Sequence, residues 1–176
     1  MKRCLILLSL VSLFAGVAGA AVKQGDTELE FLGAYLSENG ADDGADVSAF
    51  VLAGAIGYFV TDNIQVAGAA TGVWADIDDE STNVYAVGGR AAWHFMPTNQ
   101  WVPYVGGQVL WATADSDFAE NDVDGLLWGP LGGLRYELNE YNDFFAEIQW
   151  QLWSGDISDV FDDGWGIFLG IIHQFK

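Results

Sequence analysis

Apolar residues at every second position are the feature that most constrains the fold of this chain. Over residues 144–152, for example, Ile148 and Trp150 share one face, while Glu147 and Gln149 share the other. A β-strand points successive side chains to opposite faces, whereas an α-helix repeats every 3.6 residues. The segment is therefore predicted to be a strand with one apolar and one polar face.

Eight segments show this pattern, and they are predicted to be the strands: residues 26–37, 47–60, 64–75, 82–95, 101–112, 125–138, 144–153 and 164–175. The connections alternate in length. Long, acidic connections span residues 38–46, 76–81, 113–124 and 154–163, and short ones span residues 61–63, 96–100 and 139–143. Short turns at one end and long loops at the other are typical of outer-membrane barrels. The sequence thus predicts an all-β, eight-stranded antiparallel up-and-down transmembrane β-barrel.

The polarity of the two strand faces supports a membrane barrel over a soluble one. One face carries Leu, Ile, Val and aromatic residues, and the other carries small or polar residues such as Ala53, Gln65, Gly106 and Gln108. A soluble barrel shows the reverse, with polar residues outside. Aromatic residues at the strand ends predict two interfacial girdles. Those near the long loops are Trp74, Trp111, Trp128, Trp153 and Trp165, and those near the short turns are Trp93, Phe95, Trp101, Tyr136, Phe144 and Phe175.

Two prolines fall inside predicted strands, Pro103 and Pro130. Proline has no N–H to donate to a ladder, and a closed barrel has no free edge. We therefore expect Pro103 to lie at a barrel end or a bulge, and we expect Pro130 to interrupt the sixth strand.

The N-terminus has the pattern of a secretory signal peptide. Lys2 and Arg3 precede an apolar run over residues 5–15, and residues 18–20 form an A-x-A cleavage site. Residues 1–20 are therefore predicted to be removed, which leaves residues 21–176 as an exported barrel domain.

Charge and cysteine content exclude several classes of function. Loss of Lys2 and Arg3 with the predicted signal peptide changes the net charge from −19 to −21. Such a charge repels phosphate, so nucleic acid is excluded as a partner. The one cysteine, Cys4, lies within the predicted signal peptide, which excludes disulfides and thiol catalysis in the mature chain.

Charged residues on the inward faces of the predicted strands form the candidate site. By alternation these residues are Glu28, Glu30, Arg90, Arg135, Glu137 and Glu147. A low-dielectric interior penalises a lone ion, so we expect the two arginines to pair with the carboxylates. One interpretation is an ion network that closes a narrow barrel. The other is a gated polar lumen.

No catalytic residues are predicted. The chain has two histidines, His94 and His173, and neither has a serine two residues away. A general base must reach its nucleophile by a hydrogen bond, and the sequence offers no such set. We predict that the protein is not an enzyme; a lipid-modifying enzyme is the alternative that substitution of the two histidines would test.

Seventeen of the 25 acidic residues lie in the four long connections. Clustered oxygens suit Ca²⁺ or Mg²⁺, yet no stretch has the spacing of an EF-hand. We predict no cofactor and no defined metal site, only weak binding of divalent cations. Such cations would bridge the loops to lipopolysaccharide, which is itself anionic.

The last predicted strand, residues 166–175, alternates apolar residues and closes on an aromatic one, Phe175. In this respect the chain resembles small eight-stranded bacterial outer-membrane barrels of the OmpA/OmpX or opacity-protein type. The chain departs from that pattern at His173 and at Lys176, which follows the aromatic residue. The resemblance implies an outer-membrane location, contact with outer-membrane lipid and lipopolysaccharide, recognition of Phe175 by the barrel-assembly machinery, and a monomer.

The function expected from these features is that of a non-enzymatic integral barrel. Its role would be in envelope integrity or in surface interaction through acidic extracellular loops. The alternative is transport, through a narrow pore or an OmpW-like conduit for small molecules.

Overall fold

The computed structural model describes residues 22–38, 47–77, 80–116, 123–159 and 161–175. These residues form eight strands and one 3-10 helix. The strands are β1 (Thr27–Glu38), β2 (Val47–Phe59), β3 (Ile64–Ile77), β4 (Glu80–His94), β5 (Trp101–Ser116), β6 (Val123–Asn139), β7 (Asn142–Gly155) and β8 (Gly164–Phe175), and the 3-10 helix is Asp156–Asp159. The predicted signal peptide lies outside the described residues.

The strands close into a single antiparallel barrel. Each strand pairs with the next in the chain, and β8 pairs with β1, so that Thr27 lies opposite Phe175. This topology confirms the predicted eight-stranded up-and-down barrel. We call the end with the connections after β1, β3, β5 and β7 the loop end, and the opposite end the turn end.

Several strands extend further than predicted. At the loop end, β3 continues to Ile77 and β4 begins at Glu80, so most of the predicted long connection over residues 76–81 is strand. Asp76 pairs with Ser81 across this ladder. The predicted boundary is wrong because acidic residues ended the apolar pattern. The backbone ladder does not require apolar side chains where strands project beyond the membrane.

The outer surface of the barrel is apolar. Ile148 is 54% exposed, whereas Glu147 beside it is 1% exposed. The same alternation recurs around the barrel, with Phe31, Ile56, Val109 and Ile167 among the outward residues at 53–64% exposure. An apolar exterior with polar groups inside is the arrangement that lipid contact requires.

Aromatic residues are exposed near both ends of this apolar surface. Trp111, Trp128 and Trp165 are exposed toward the loop end, and Trp93 and Trp101 toward the turn end. Trp153 differs from the prediction, because its ring packs inside the barrel with the ring of Phe161, 5.3 Å away between centroids. Trp153 has the same strand parity as Glu147 and Gln149, and that parity, more than its place near a strand end, decides which way it points.

The two strand prolines are accommodated differently. Pro103 lies just beyond the last β4–β5 pair, His94 with Tyr104. Its missing N–H is therefore outside the β4–β5 ladder, as expected for a barrel end. Pro130 interrupts the ladder from β6 to β7, because neither Gly129 nor Pro130 has a partner in β7 while the register on either side is unchanged.

The wall stays closed at the Pro130 interruption. Gly129 has a φ of 152°, a backbone conformation that side chains disfavour. The carbonyl oxygen of Trp150 in β7 occupies the place that a Cβ atom on Gly129 would take. The two backbones therefore remain in contact although the ladder is interrupted.

The interior has two layers. Near the loop end, a buried apolar cluster contains Val84, Leu110, Leu127 and Ile157. Near the turn end, the buried side chains are mainly charged or amide groups, including Glu28, Arg135, Asp143, Gln65 and Gln174. Over the described ranges, no helix is long and apolar enough to cross a membrane.

Candidate functional site

The first charged cluster is centred on Arg135, which is fully buried. Its Nη2 atom lies 2.7 Å from Oε2 of Glu28 and 2.5 Å from Oδ2 of Asp143. Its Nε atom also donates to Oδ2 of Asp143, at 2.6 Å. Because β6 carries the arginine and β1 and β7 carry the two carboxylates, the cluster joins three strands across the interior.

The second charged cluster is centred on Arg90 in β4. Its Nη1 atom lies 3.3 Å from Oε2 of Glu30, and its Nη2 atom lies 2.5 Å from Oε2 of Glu147. The Arg90 side chain is 9% exposed, so this cluster is also largely removed from water. It spans the interior from β4 to β1 and β7.

Amide side chains link and complete the two clusters. Gln65 donates through Nε2 to Glu28 of the first cluster and to Glu30 of the second, in the latter case at 2.9 Å. Gln149 donates to Oε1 of Glu147 at 2.7 Å and accepts from Nε2 of Gln108 at 3.0 Å. Gln174 donates to Oδ2 of Asp143 at 2.8 Å. The charged groups therefore form one continuous polar layer across the barrel.

The ion pairs do not balance in charge. Two guanidinium groups face four carboxylates, which gives a formal charge of −2 if all are ionised. Buried carboxylates depend on such partners because the loss of hydration is costly. Removal of either arginine would leave two carboxylates without their cation.

Five of the six predicted lumen residues lie in these clusters: Glu28, Glu30, Arg90, Arg135 and Glu147. Glu137 is buried at the turn end. Its backbone N–H donates to the carbonyl oxygen of Gln100, and its carbonyl oxygen accepts from Nε2 of Gln100. The sequence prediction missed Asp143, because it placed residues 139–143 in a turn. Asp143 lies an even number of positions before Glu147, so the two share one face of β7. This alternation is the signal that identifies Asp143 as inward-facing.

The two histidines lie in different surroundings. The His94 ring is buried between aromatic rings, 5.0 Å from the centroid of Phe59 and 5.1 Å from that of Tyr104. The His173 ring has Nδ1 2.9 Å from Oδ1 of Asn142. Phe175 is 53% exposed and contacts the His173 ring edge-on. Its role as an assembly signal stays a prediction.

The acidic connections are described only in part. Asp42, Asp43, Asp46, Asp78, Asp79, Asp117, Glu120 and Asp122 lie outside the described residues. Near the β7–β8 connection, Asp156, Asp159, Asp162 and Asp163 are exposed. Asp163 accepts a hydrogen bond from the backbone N–H of Trp153 at 2.9 Å. The described residues contain no group of three or more His, Cys, Asp or Glu placed to hold a metal ion.

The turn end is covered by the first described residues. Val22 is 1% exposed, and its N–H donates to the carbonyl oxygen of Pro97 at 3.1 Å. The N–H of Gly25 donates to the carbonyl oxygen of Phe59 at 3.0 Å. The segment before β1 therefore packs across this end.

Comparison with known proteins finds the same fold in solved structures. No protein-family model matches the chain, and no curated protein matches it. The N-terminal β-barrel domain of Pseudomonas aeruginosa OprF is similar over 87% of this chain and 99% of that one, at 21% identity and a TM-score of 0.61. Neisserial surface protein A is similar over 85% of this chain and 96% of that one, at 16% identity and a TM-score of 0.60.

The outer membrane protein OprG of Pseudomonas aeruginosa is similar over 89% of this chain and 98% of that one, at 16% identity and a TM-score of 0.60. At these identities the likeness concerns the fold. Together with the apolar outer surface, it agrees with the outer-membrane location predicted from the sequence. The protein has the fold of the small eight-stranded outer-membrane barrels.

Proposed function

We propose that this protein is a closed, non-enzymatic outer-membrane barrel that contributes to envelope integrity through its acidic loop end. The observation that carries the proposal is the continuous layer of ion pairs and amides across the interior. A barrel filled in this way offers solutes no open path through its interior. Its function then depends on its exposed ends. Transport through a pore would require this layer to open.

The partner of the loop end is inferred from its charge. Exposed acids near this end include Asp76, Asp115 and Asp124 on the strands, and Asp156 and Asp159 in the 3-10 helix. Lipopolysaccharide also carries negative groups, so direct contact is unfavourable unless divalent cations lie between them. We infer weak, shared Ca²⁺ or Mg²⁺ binding that links the loops to neighbouring lipopolysaccharide. No cofactor is required for this role.

The proposal is tested by restoring a deletion strain with charge variants. One variant replaces Asp156 and Asp159 by Asn, and the matched control replaces two acids at the turn end, Asp62 by Asn and Glu140 by Gln. The measurement is entry of an apolar fluorescent dye into intact cells, at equal amounts of heat-modifiable barrel in the outer-membrane fraction. We expect the wild type and the turn-end control to restore the barrier and the loop-end variant to restore it poorly.

Two results would contradict the proposal. One is an unchanged barrier in the deletion strain. The other is full restoration by the loop-end variant, which would mean that the acids at the loop end are only a solvated surface.

A further inference from the structure

A cavity of about 360 Å³ lies in the loop-end half of the barrel, next to the charged layer. Its wall is mainly apolar and includes Leu32, Val51, Val73, Val84, Leu110 and Leu127. The interior of an eight-stranded barrel is usually just filled by side chains. Here the small side chains of Ala53, Ala69 and Ala86 leave space. We call this space the upper chamber.

Packed side chains lie at both ends of the upper chamber. Toward the loop end, Ile157 of the 3-10 helix is fully buried in the apolar cluster. The rings of Phe161 and Trp153 lie beside it, tilted against each other, and border the chamber. Toward the turn end, the second charged cluster forms the floor, with Arg90 and Glu147 among the bordering residues. The second charged cluster thus separates the chamber from the turn end of the barrel.

The charges around the upper chamber favour a cation. Among the described residues that border it, Arg90 is the one basic group, and Glu30, Glu147 and Asp162 are carboxylates. Arg90 already pairs with the two glutamates, which leaves the floor with a formal charge of −1. An anion would meet this excess of negative charge in a low-dielectric space, where the repulsion is strong.

The apolar wall sets the rest of the ligand. Phe145, Phe168, Phe161 and Trp153 border the chamber along with the aliphatic residues. Aromatic faces attract ammonium groups, and apolar walls with few polar groups are typical of small-molecule sites of 300–1,000 Å³. A ligand with an apolar body and a positive head meets both the wall and the floor.

We propose that the upper chamber binds small amphipathic organic cations, with the apolar body against the aliphatic and aromatic wall and the ammonium group toward Glu30 and Glu147. This binding activity is additional to the proposed role in envelope integrity. The exposed acids at the loop end raise the local concentration of cations at the entrance to the chamber.

The test uses the full mature chain refolded into phosphatidylcholine nanodiscs, since detergents carry apolar chains of their own. The probe is benzyltrimethylammonium, compared with neutral 2-phenylacetamide and anionic phenylacetate, by isothermal titration calorimetry against empty nanodiscs. Ala53→Phe fills the chamber without altering an ion pair. Leu52→Phe is its matched control, because Leu52 is 49% exposed on the outer surface. Asp162→Asn removes one negative charge at the border.

We expect the wild type to bind the cation saturably. The affinity should be highest for the cation, lower for the neutral compound and lowest for the anion. Ala53→Phe should weaken cation binding about tenfold or more, and Leu52→Phe should leave it unchanged. Asp162→Asn should weaken the cation and not the neutral compound. If Ala53→Phe does not give a heat-modifiable barrel, Asp162→Asn and the order of the three probes still test the proposal. It is overturned if the cation gives no saturable heat, if folded Ala53→Phe binds like the wild type, or if phenylacetate binds as tightly as the cation.

Discussion

Replacement of Arg135 by Ala should lower the free energy of unfolding by about 3–5 kcal/mol, because it leaves two buried carboxylates without their cation. Glu28 and Asp143 are 0% exposed, and both contact Nη2 of Arg135. The measurement is equilibrium unfolding in urea of the barrel refolded in phosphatidylcholine vesicles. Heat-modifiable migration on a gel gives the folded fraction.

Two further variants test whether the loss of stability comes from the unpaired carboxylates. Arg90→Ala should cost less than Arg135→Ala, because Arg90 borders the upper chamber and water entering there would hydrate Glu30 and Glu147. Adding Glu28→Gln and Asp143→Asn to Arg135→Ala should recover part of the lost stability. Equal small losses for both arginine variants, with no recovery in the triple variant, would show that the clusters do not stabilise the barrel through their charges.

Replacement of Val105 by Arg should cost about 2–4 kcal/mol, the range measured for a basic residue at the bilayer midplane of a membrane barrel. Val105 is 51% exposed on the outer surface. It lies on β5 between two exposed tryptophans, Trp101 and Trp111, which we expect to lie at the two interfaces. On a soluble protein, an exposed substitution of this kind changes stability by only about 0.5 kcal/mol.

The matched control for this prediction is Val60→Arg. Val60 is 38% exposed and lies just after β2 at the turn end. An arginine there reaches the interface, so its expected cost is about 0–1 kcal/mol. Urea unfolding from vesicles of fixed composition measures both variants. Similar costs at the two positions would contradict the placement of the barrel wall in the membrane.

The barrel was predictable from the sequence because most of what determines it is local. Strand alternation assigns each residue to a face, and each strand pairs with the next along the chain, so that the pairing of β8 with β1 is the one long-range step. Arg90, Arg135, Glu28 and Glu147 were assigned to the interior by parity alone. Which carboxylate pairs with which arginine was not predictable, because that depends on the register between strands and on the shear of the barrel.

The errors have physical reasons as well. Asp143 and the loop-end extensions of the strands escape prediction because a polar residue in the sequence indicates the end of a strand. In a membrane barrel, an inward position accepts Asp143 when the guanidinium group of Arg135 reaches its carboxylate. Strands also continue into water, where Asp76 is exposed. The inward packing of Ile157 and Phe161 against the lumen was also beyond prediction, since nothing in a loop sequence specifies which residues fold back.

We propose that the layer of ion pairs closes the barrel to ions, and single-channel recording measures whether ions pass it. The refolded wild-type protein is added to a planar phosphatidylcholine bilayer in salt solution, and the current is measured at fixed voltage. Because Arg90 and Arg135 are each held by two carboxylates across the interior, we expect insertion without steady unitary currents. A steady unitary conductance in the wild type would contradict it, because it would show that ions pass through the layer that we describe as closed.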